Sequence, residues 1–142
     1  MKAYIKTDIS VLTGKTLVSI KGMSNGNDEI YFLTSDGKEF VMYHDQDCCE
    51  RVEIDDVCGV PEDLLNSPIL KAEVTTSENT NPKSEEDLEY LELRAVTWTW
   101  TFYHFATAKG YVDIKWYGTS NGYYSESVDF AEITEENENK KN

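Results

Sequence analysis

Long hydrophobic runs are missing from this chain. No apolar stretch approaches the roughly 20 residues that carry a helix across a bilayer, so no membrane partner is expected. No stretch of helix length shows the amphipathic period of a surface helix either. Positive charge is scarce: 13 Lys and Arg stand against 27 Asp and Glu, a formal net charge of −14. Such a surface repels phosphate backbones and anionic lipid, which argues against direct nucleic-acid binding. It leaves basic partners open, including a DNA-binding groove that an acidic mimic would block. Cysteine is limited to three residues, two of them adjacent. An odd count with no signal-peptide pattern does not make a disulfide framework and points to reduced thiols in a cytoplasm. Catalytic signatures are also missing: there is no P-loop, G-x-G-x-x-G, G-x-S-x-G or H-E-x-x-H.

What the chain does have is a run of aromatics. Thr97 to Phe130 holds all three tryptophans and most of the tyrosines. Thr and aromatic residues alternate from Thr97 to Phe105, and branched and aromatic side chains of this kind are strong strand formers. Two further strands are expected at Tyr111–Thr119 and Tyr123–Phe130, joined by Ser120-Asn121-Gly122 with Gly122 at positive φ. That register places Val112 opposite Phe130, Ile114 opposite Val128 and Tyr124 over Gly118, because a one-residue slip would exchange the faces. For the preceding turn, a loop of Ala108-Lys109-Gly110 puts Trp98, Trp100, Phe102 and His104 on the core face. A two-residue loop would put Tyr103 and Phe105 there. The first is preferred because it sends both tryptophans inward.

The rest of the chain reads as short strands. Met1–Thr13 is an edge strand or helical turn. Lys15–Met23, Glu29–Thr34 and Lys38–His44 form a meander through turns at Ser24–Asp28 and Asp36-Gly37. Strands at Arg51–Asp56 and Ile69–Thr76 flank a helical turn at Pro61–Leu65, where Pro and acids suit a helix start. Residues 76–87 read as a mobile acidic loop, Leu88–Ala95 as the lead into the aromatic strand, and 134–142 as a disordered acidic tail. With 142 residues the chain is one domain. The fold class is mainly β, or α+β with one short helix, with about eight antiparallel strands in a bent sheet, sandwich or open barrel.

The polar cluster of unusual composition is His44, Asp45, Asp47, Cys48, Cys49 and Glu50, with Cys58 further on. Zinc would need four N or S ligands, and adjacent cysteines diverge. Calcium would need a glycine-punctuated loop. A thiol nucleophile would use Cys49 with His44 or His104 as base and Asp47 nearby. None of these is complete, so no metal and no cofactor is expected. In the structural alternative the carboxylates accept backbone N–H groups and the cysteines act as small core hydrophobes. A tyrosine-rich sheet face around Lys115 and Tyr117 is the other candidate surface.

Several stretches are familiar in combination. Tyr43-His44-Asp45-Gln46-Asp47-Cys48-Cys49-Glu50 and Ser67-Pro68-Ile69-Leu70 precede Trp100-Thr101-Phe102-Tyr103, Trp116-Tyr117-Gly118 and Ser120-Asn121-Gly122-Tyr123-Tyr124-Ser125. This set resembles a family of small uncharacterised domains encoded mostly by bacteriophages and prophages, over roughly Thr13 to Phe130. The resemblance implies a gene product acting in the cytoplasm of a host bacterium and transfers no functional residues. In that setting the expected function is a non-enzymatic binder that antagonises a host defence or regulatory protein. The binding candidates are Tyr43, His44, Asp45, Asp47, Glu50, Lys115, Trp116, Tyr117, Asn121, Tyr123 and Tyr124. Three alternatives remain: a sponge for a small nucleotide, with aromatic stacking and Lys115 or Arg94 for phosphate; a metal- or thiol-dependent hydrolase built on the His44–Glu50 run; and an acidic DNA mimic. A homodimer through unpaired sheet edges is open as well.

Overall fold

The computed structural model describes residues 2–80, 82–94 and 96–135. Among these residues nine strands and one α-helix lie in this order: β1 (Lys2–Lys6), β2 (Leu17–Lys21), β3 (Glu29–Thr34), β4 (Glu39–Tyr43), β5 (Arg51–Cys58), β6 (Lys71–Glu78), α1 (Glu85–Leu93), β7 (Thr97–Thr107), β8 (Gly110–Ser120) and β9 (Asp129–Glu135). Short 3-10 turns occupy Ile9–Leu12 and Pro61–Leu64. The strands form two antiparallel sheets, ordered β1-β9-β4-β3-β2 and β5-β8-β7-β6. The sheets face each other as a sandwich. No helix among the described residues is long and apolar enough to cross a membrane.

Alternation builds the core. In β3, Ile30, Phe32 and Thr34 point inward while Glu29, Tyr31 and Leu33 point out. Within the first sheet Phe40 stacks on Phe130 at 5.4 Å between centroids, and Phe32 meets the second sheet, 6.1 Å from Phe105. Val112, Ile114 and Trp116 of β8 complete the same cluster and are fully buried. The Trp116 indole N–H has no hydrogen-bond partner among the described residues, an unusual cost inside a core.

β7 buries both faces, and this overturns the preferred register. Thr107 pairs with Gly110, so the loop is Ala108-Lys109, and Tyr103 and Phe105 lie opposite Ile114 and Val112 on the core face. Trp98 and Trp100 face outward and are buried there under α1, with Leu91. Sequence pattern alone assumed one buried face, whereas the helix supplies a second apolar layer. That helix begins inside the segment read as loop. Ser84 caps it by accepting from the Asp87 N–H at 3.0 Å, and Glu85, Glu86 and Asp87 fill the first turn, where the helix dipole favours acids.

The expected hairpin of Tyr111–Thr119 with Tyr123–Phe130 does not form. β8 pairs with β5 instead, Val52 opposite Gly118 and Ile54 opposite Trp116. Residues 121–128 cross from one sheet to the other, and β9 inserts between β1 and β4. Val52 and Ile54 give β8 an apolar partner that the crossing segment, rich in Ser and Tyr, could not. Gly122 does take positive φ, at 91°. β9 continues through Glu135, so Thr134 and Glu135, read from the sequence as the start of the tail, are strand; the rest of that tail, residues 136–142, lies outside the described residues.

Candidate functional site

The His44–Glu50 run folds around a buried carboxylate. Both oxygens of Glu50 are filled: the N–H of Asp47 and of Cys48 each donate at 2.9 Å, Gln46 Nε2 donates at 3.0 Å, and His44 Nε2 lies at 2.8 Å. Burial pushes the Glu50 carboxyl up, but the donations from Cys48, Asp47 and His44 outweigh it and bring its pKa down to about 2. The other ring nitrogen of His44, Nδ1, lies 2.6 Å from the Ser127 carbonyl oxygen. Both ring nitrogens of His44 therefore face oxygen acceptors. With these N–H groups turned inward, the cysteine side chains turn out. Cys48 and Cys49, expected as reduced core hydrophobes, are exposed and joined in a vicinal disulfide. Among the described residues no group of three or more His, Cys, Asp or Glu is placed to hold a metal ion.

His44 thereby ties the end of β4 to the crossing segment 121–128. Just beyond that segment, at the start of β9, Asp129 accepts from the Asp45 N–H at 3.0 Å. The segment roofs a cleft of about 600 Å³ at the open end of the sandwich. The inner face of the second sheet turns from apolar to hydroxylic there, with Thr99 and Thr101 of β7 and Thr76 of β6 in the wall. Gly118 opens the space for the roof. A Cβ at Gly118 would stand 2.9 Å from the Glu126 carbonyl oxygen and 3.0 Å from a Val52 methyl. Glu126 sits over that glycine, only 9 % exposed. Its carboxylate accepts from Thr99 at 2.7 Å and also from Thr97 and Ser120.

The cleft is acidic. Asp8, Glu78, Glu126 and Asp129 line it against a single cation, Lys6. Lys6 is already engaged, 3.8 Å from Asp129 and 3.4 Å from Asp45, and the Asp129 charge, followed by the Asp45 hydrogen bond, raises its pKa. Among the described residues no lysine or arginine pairs with Glu126. The site can thus hold a cationic group through carboxylates and a polar one through hydroxyls, in a volume typical of ligand pockets.

A second surface lies on the outer face of the second sheet. Lys115 Nζ stands 5.2 Å from the Trp100 ring centre and Lys83 Nζ 4.4 Å from that of Tyr117. Lys83 also pairs with Asp55 at 2.9 Å. Next to it, His104 bridges three strands, with Nδ1 3.0 Å from Asp113 and Nε2 3.3 Å from the Thr75 hydroxyl. This chain matches a hydroxyl–imidazole–carboxylate order, but it lies on an open sheet face away from the cleft.

The residues singled out from sequence therefore separate. Tyr43, His44, Asp45, Asp47 and Glu50 lie at or beside the carboxylate-centred loop, with Tyr43 edge-on to Tyr4 at 5.3 Å. Asn121, Tyr123 and Tyr124 belong to the roof, where Tyr123 is 89 % exposed. Lys115 and Tyr117 belong to the outer face, and Trp116 is sealed in the core with no ring surface to offer. Asp8, Glu78, Glu126 and Asp129, which line the cleft, were not singled out from the sequence. One signal was available: Glu126 is the carboxylate within an otherwise hydroxyl-rich run, Tyr123-Tyr124-Ser125-Glu126-Ser127.

No curated protein and no solved structure matches the chain. One family model does match, over residues 10–130, and its description is a domain of unknown function. Its span runs from the 3-10 turn beside the cleft to the start of β9 and includes both the carboxylate-centred loop and the roof it holds; the chain belongs to this family, DUF7448.

Proposed function

We propose that this protein is a non-enzymatic binding module that takes a cationic group of a protein partner into the cleft under residues 121–128. The observation that carries the reading is the cleft's charge: carboxylates of Asp8, Glu78, Glu126 and Asp129 face a cavity whose one lysine is already paired. An ammonium or guanidinium entering it gains charge-assisted hydrogen bonds in a partly desolvated site. The resemblance to phage and prophage domains supports a host defence or regulatory protein as that partner, met in the bacterial cytoplasm. The test is affinity capture from extracts of a bacterial host with the wild-type protein and with Glu78→Gln/Glu126→Gln. A protein retained by the wild type, lost from the variant and released by moderate salt supports the reading. Identical retention by both would sink it.

A second reading, a sponge for a small nucleotide, has one specific support. Lys83 and Lys115 beside Trp100, Phe102 and Tyr117 combine cations with aromatic faces. It calls for a co-purified ligand absorbing at nucleotide wavelengths that disappears in Lys83→Ala/Lys115→Ala.

A further inference from the structure

We infer that the acidic cleft is read by an extended peptide that adds to the edge strand β6 in antiparallel sense, sending alternate basic side chains into the cleft. This deepens the binding-module reading and rests on it.

β6 ends the order of the second sheet and pairs with β7 alone among the described strands. Its beginning is covered, since Gly14 N–H donates to the Ile69 carbonyl and Ile69 N–H to the Lys15 carbonyl, both at 2.8 Å. Beyond that, residues 73–76 are exposed, with Val74 at 41 %. Asn79 N–H donates to the Trp98 carbonyl at 2.8 Å, on the same register as the β6–β7 ladder. Antiparallel bonding alternates residue by residue. The odd-numbered residues of β6 therefore bond to β7, while Val74, Thr76 and Glu78 aim N–H and C=O at the open edge.

The same three residues line the cleft. In an antiparallel pair, residues that exchange both bonds point their side chains to one face. A strand bonded to Val74, Thr76 and Glu78 thus places the side chains of its bonded residues in the cleft, between β6 and the opposite wall at Lys6–Ile9. Those positions face Glu78, Glu126, Asp8 and Asp129, which select lysine or arginine. The intervening side chains fall beside Lys71, Glu73 and Thr75 on the outer face. Every other strand pair in both sheets is antiparallel, and this mode of recognition draws affinity from the backbone and specificity from alternate side chains.

This geometry makes a strict demand: the arginines that enter the cleft must also be the residues whose N–H groups bond to β6. The probe is a fluorescent alternating arginine–valine octapeptide, measured by anisotropy against the full chain, with two analogues. Methylation of the arginine backbone nitrogens is expected to weaken binding at least about tenfold, as several ladder bonds are lost. Methylation of the valine nitrogens leaves those bonds in place and is expected to change affinity little. On the protein side, Thr76→Pro removes one outward N–H at an edge position where proline is tolerated, and is expected to weaken the parent probe with the fold intact by circular dichroism.

Equal affinity of the parent and both analogues would overturn strand addition, and a loss on valine methylation alone would overturn the antiparallel sense. Either result leaves the acidic cleft standing if arginine amide still shifts the amide resonances of the roof in wild type and not in Glu126→Gln. Failure of both the octapeptide and arginine amide to bind would overturn the cleft reading as well.

Discussion

His44 Nδ1 meets the carbonyl oxygen of Ser127 at 2.6 Å, and through this contact a loop built on one carboxylate holds the roof over another. Glu50 fixes the ring, the ring fixes Ser127, and Glu126 is the next residue back. Removal of the ring in His44→Ala leaves the Glu50 carboxylate one donor short and frees the Ser127 carbonyl. The expected outcome is a lower Tm together with faster amide exchange concentrated in 121–128, measured by hydrogen–deuterium exchange. Uniform exchange changes across both sheets would instead make His44 an ordinary core contributor.

Acid should reach the same device. The folded pKa of Glu50, about 2, lies below its ordinary 4.5, so the folded state binds this proton more weakly than the unfolded one. Its contribution to stability is complete above about 4.5 and is lost as pH falls towards 2. Denaturation midpoints measured across that window should fall more steeply for the wild type than for Glu50→Gln. Parallel curves would show that Glu50 is not the group responsible.

Gly118 tests how the roof is seated. Its missing Cβ is what lets the Glu126 backbone approach to contact distance, and backbone on that side cannot swing away as a long side chain could. Gly118→Ala should cost about 1–3 kcal/mol, the usual scale for overpacking, by chemical denaturation. It should also weaken whatever the cleft binds.

Ser84 tests the second apolar layer. Ser84→Ala removes the cap of α1 and should cost about 1 kcal/mol. Because Leu91 of that helix covers Trp98 and Trp100, loosening it should also redshift tryptophan emission before global unfolding begins. Emission that changes only with global unfolding would place the capping effect elsewhere.

Much of the fold was legible in particular residues. The alternation of Ile30 and Phe32 with Tyr31 and Leu33, between turn clusters at Ser24–Asp28 and Asp36-Gly37, marked out the β2-β3-β4 meander. The face of β7 was not legible, because alternating Thr and aromatic residues look alike whichever set is buried; α1 decides it by covering Trp98 and Trp100. The partner of β8 was hidden for a different reason. Ser120-Asn121-Gly122 has every local feature of a hairpin turn, but Val52 and Ile54, far away in sequence, match Gly118 and Trp116 better than the serines and tyrosines of the crossing segment do. The cleft was the least legible part. The polar residues clustered at 44–50 are contiguous in sequence and stand out there, while Asp8, Glu78, Glu126 and Asp129 are spread along the chain and share a cleft only once the two sheets close.

The position of β9 has a consequence for how the molecule comes into being. It lies between β1, the first strand among the described residues, and β4. Until synthesis has passed Glu135, β1 has no neighbour and β4 keeps one raw edge, so the first sheet cannot close while its own last strand is still within the ribosome. Such long-range closure is slow. The nascent protein must therefore wait as a half-built sandwich with its aromatic rows uncovered, which makes the interval before β9 docks the time of greatest exposure to aggregation.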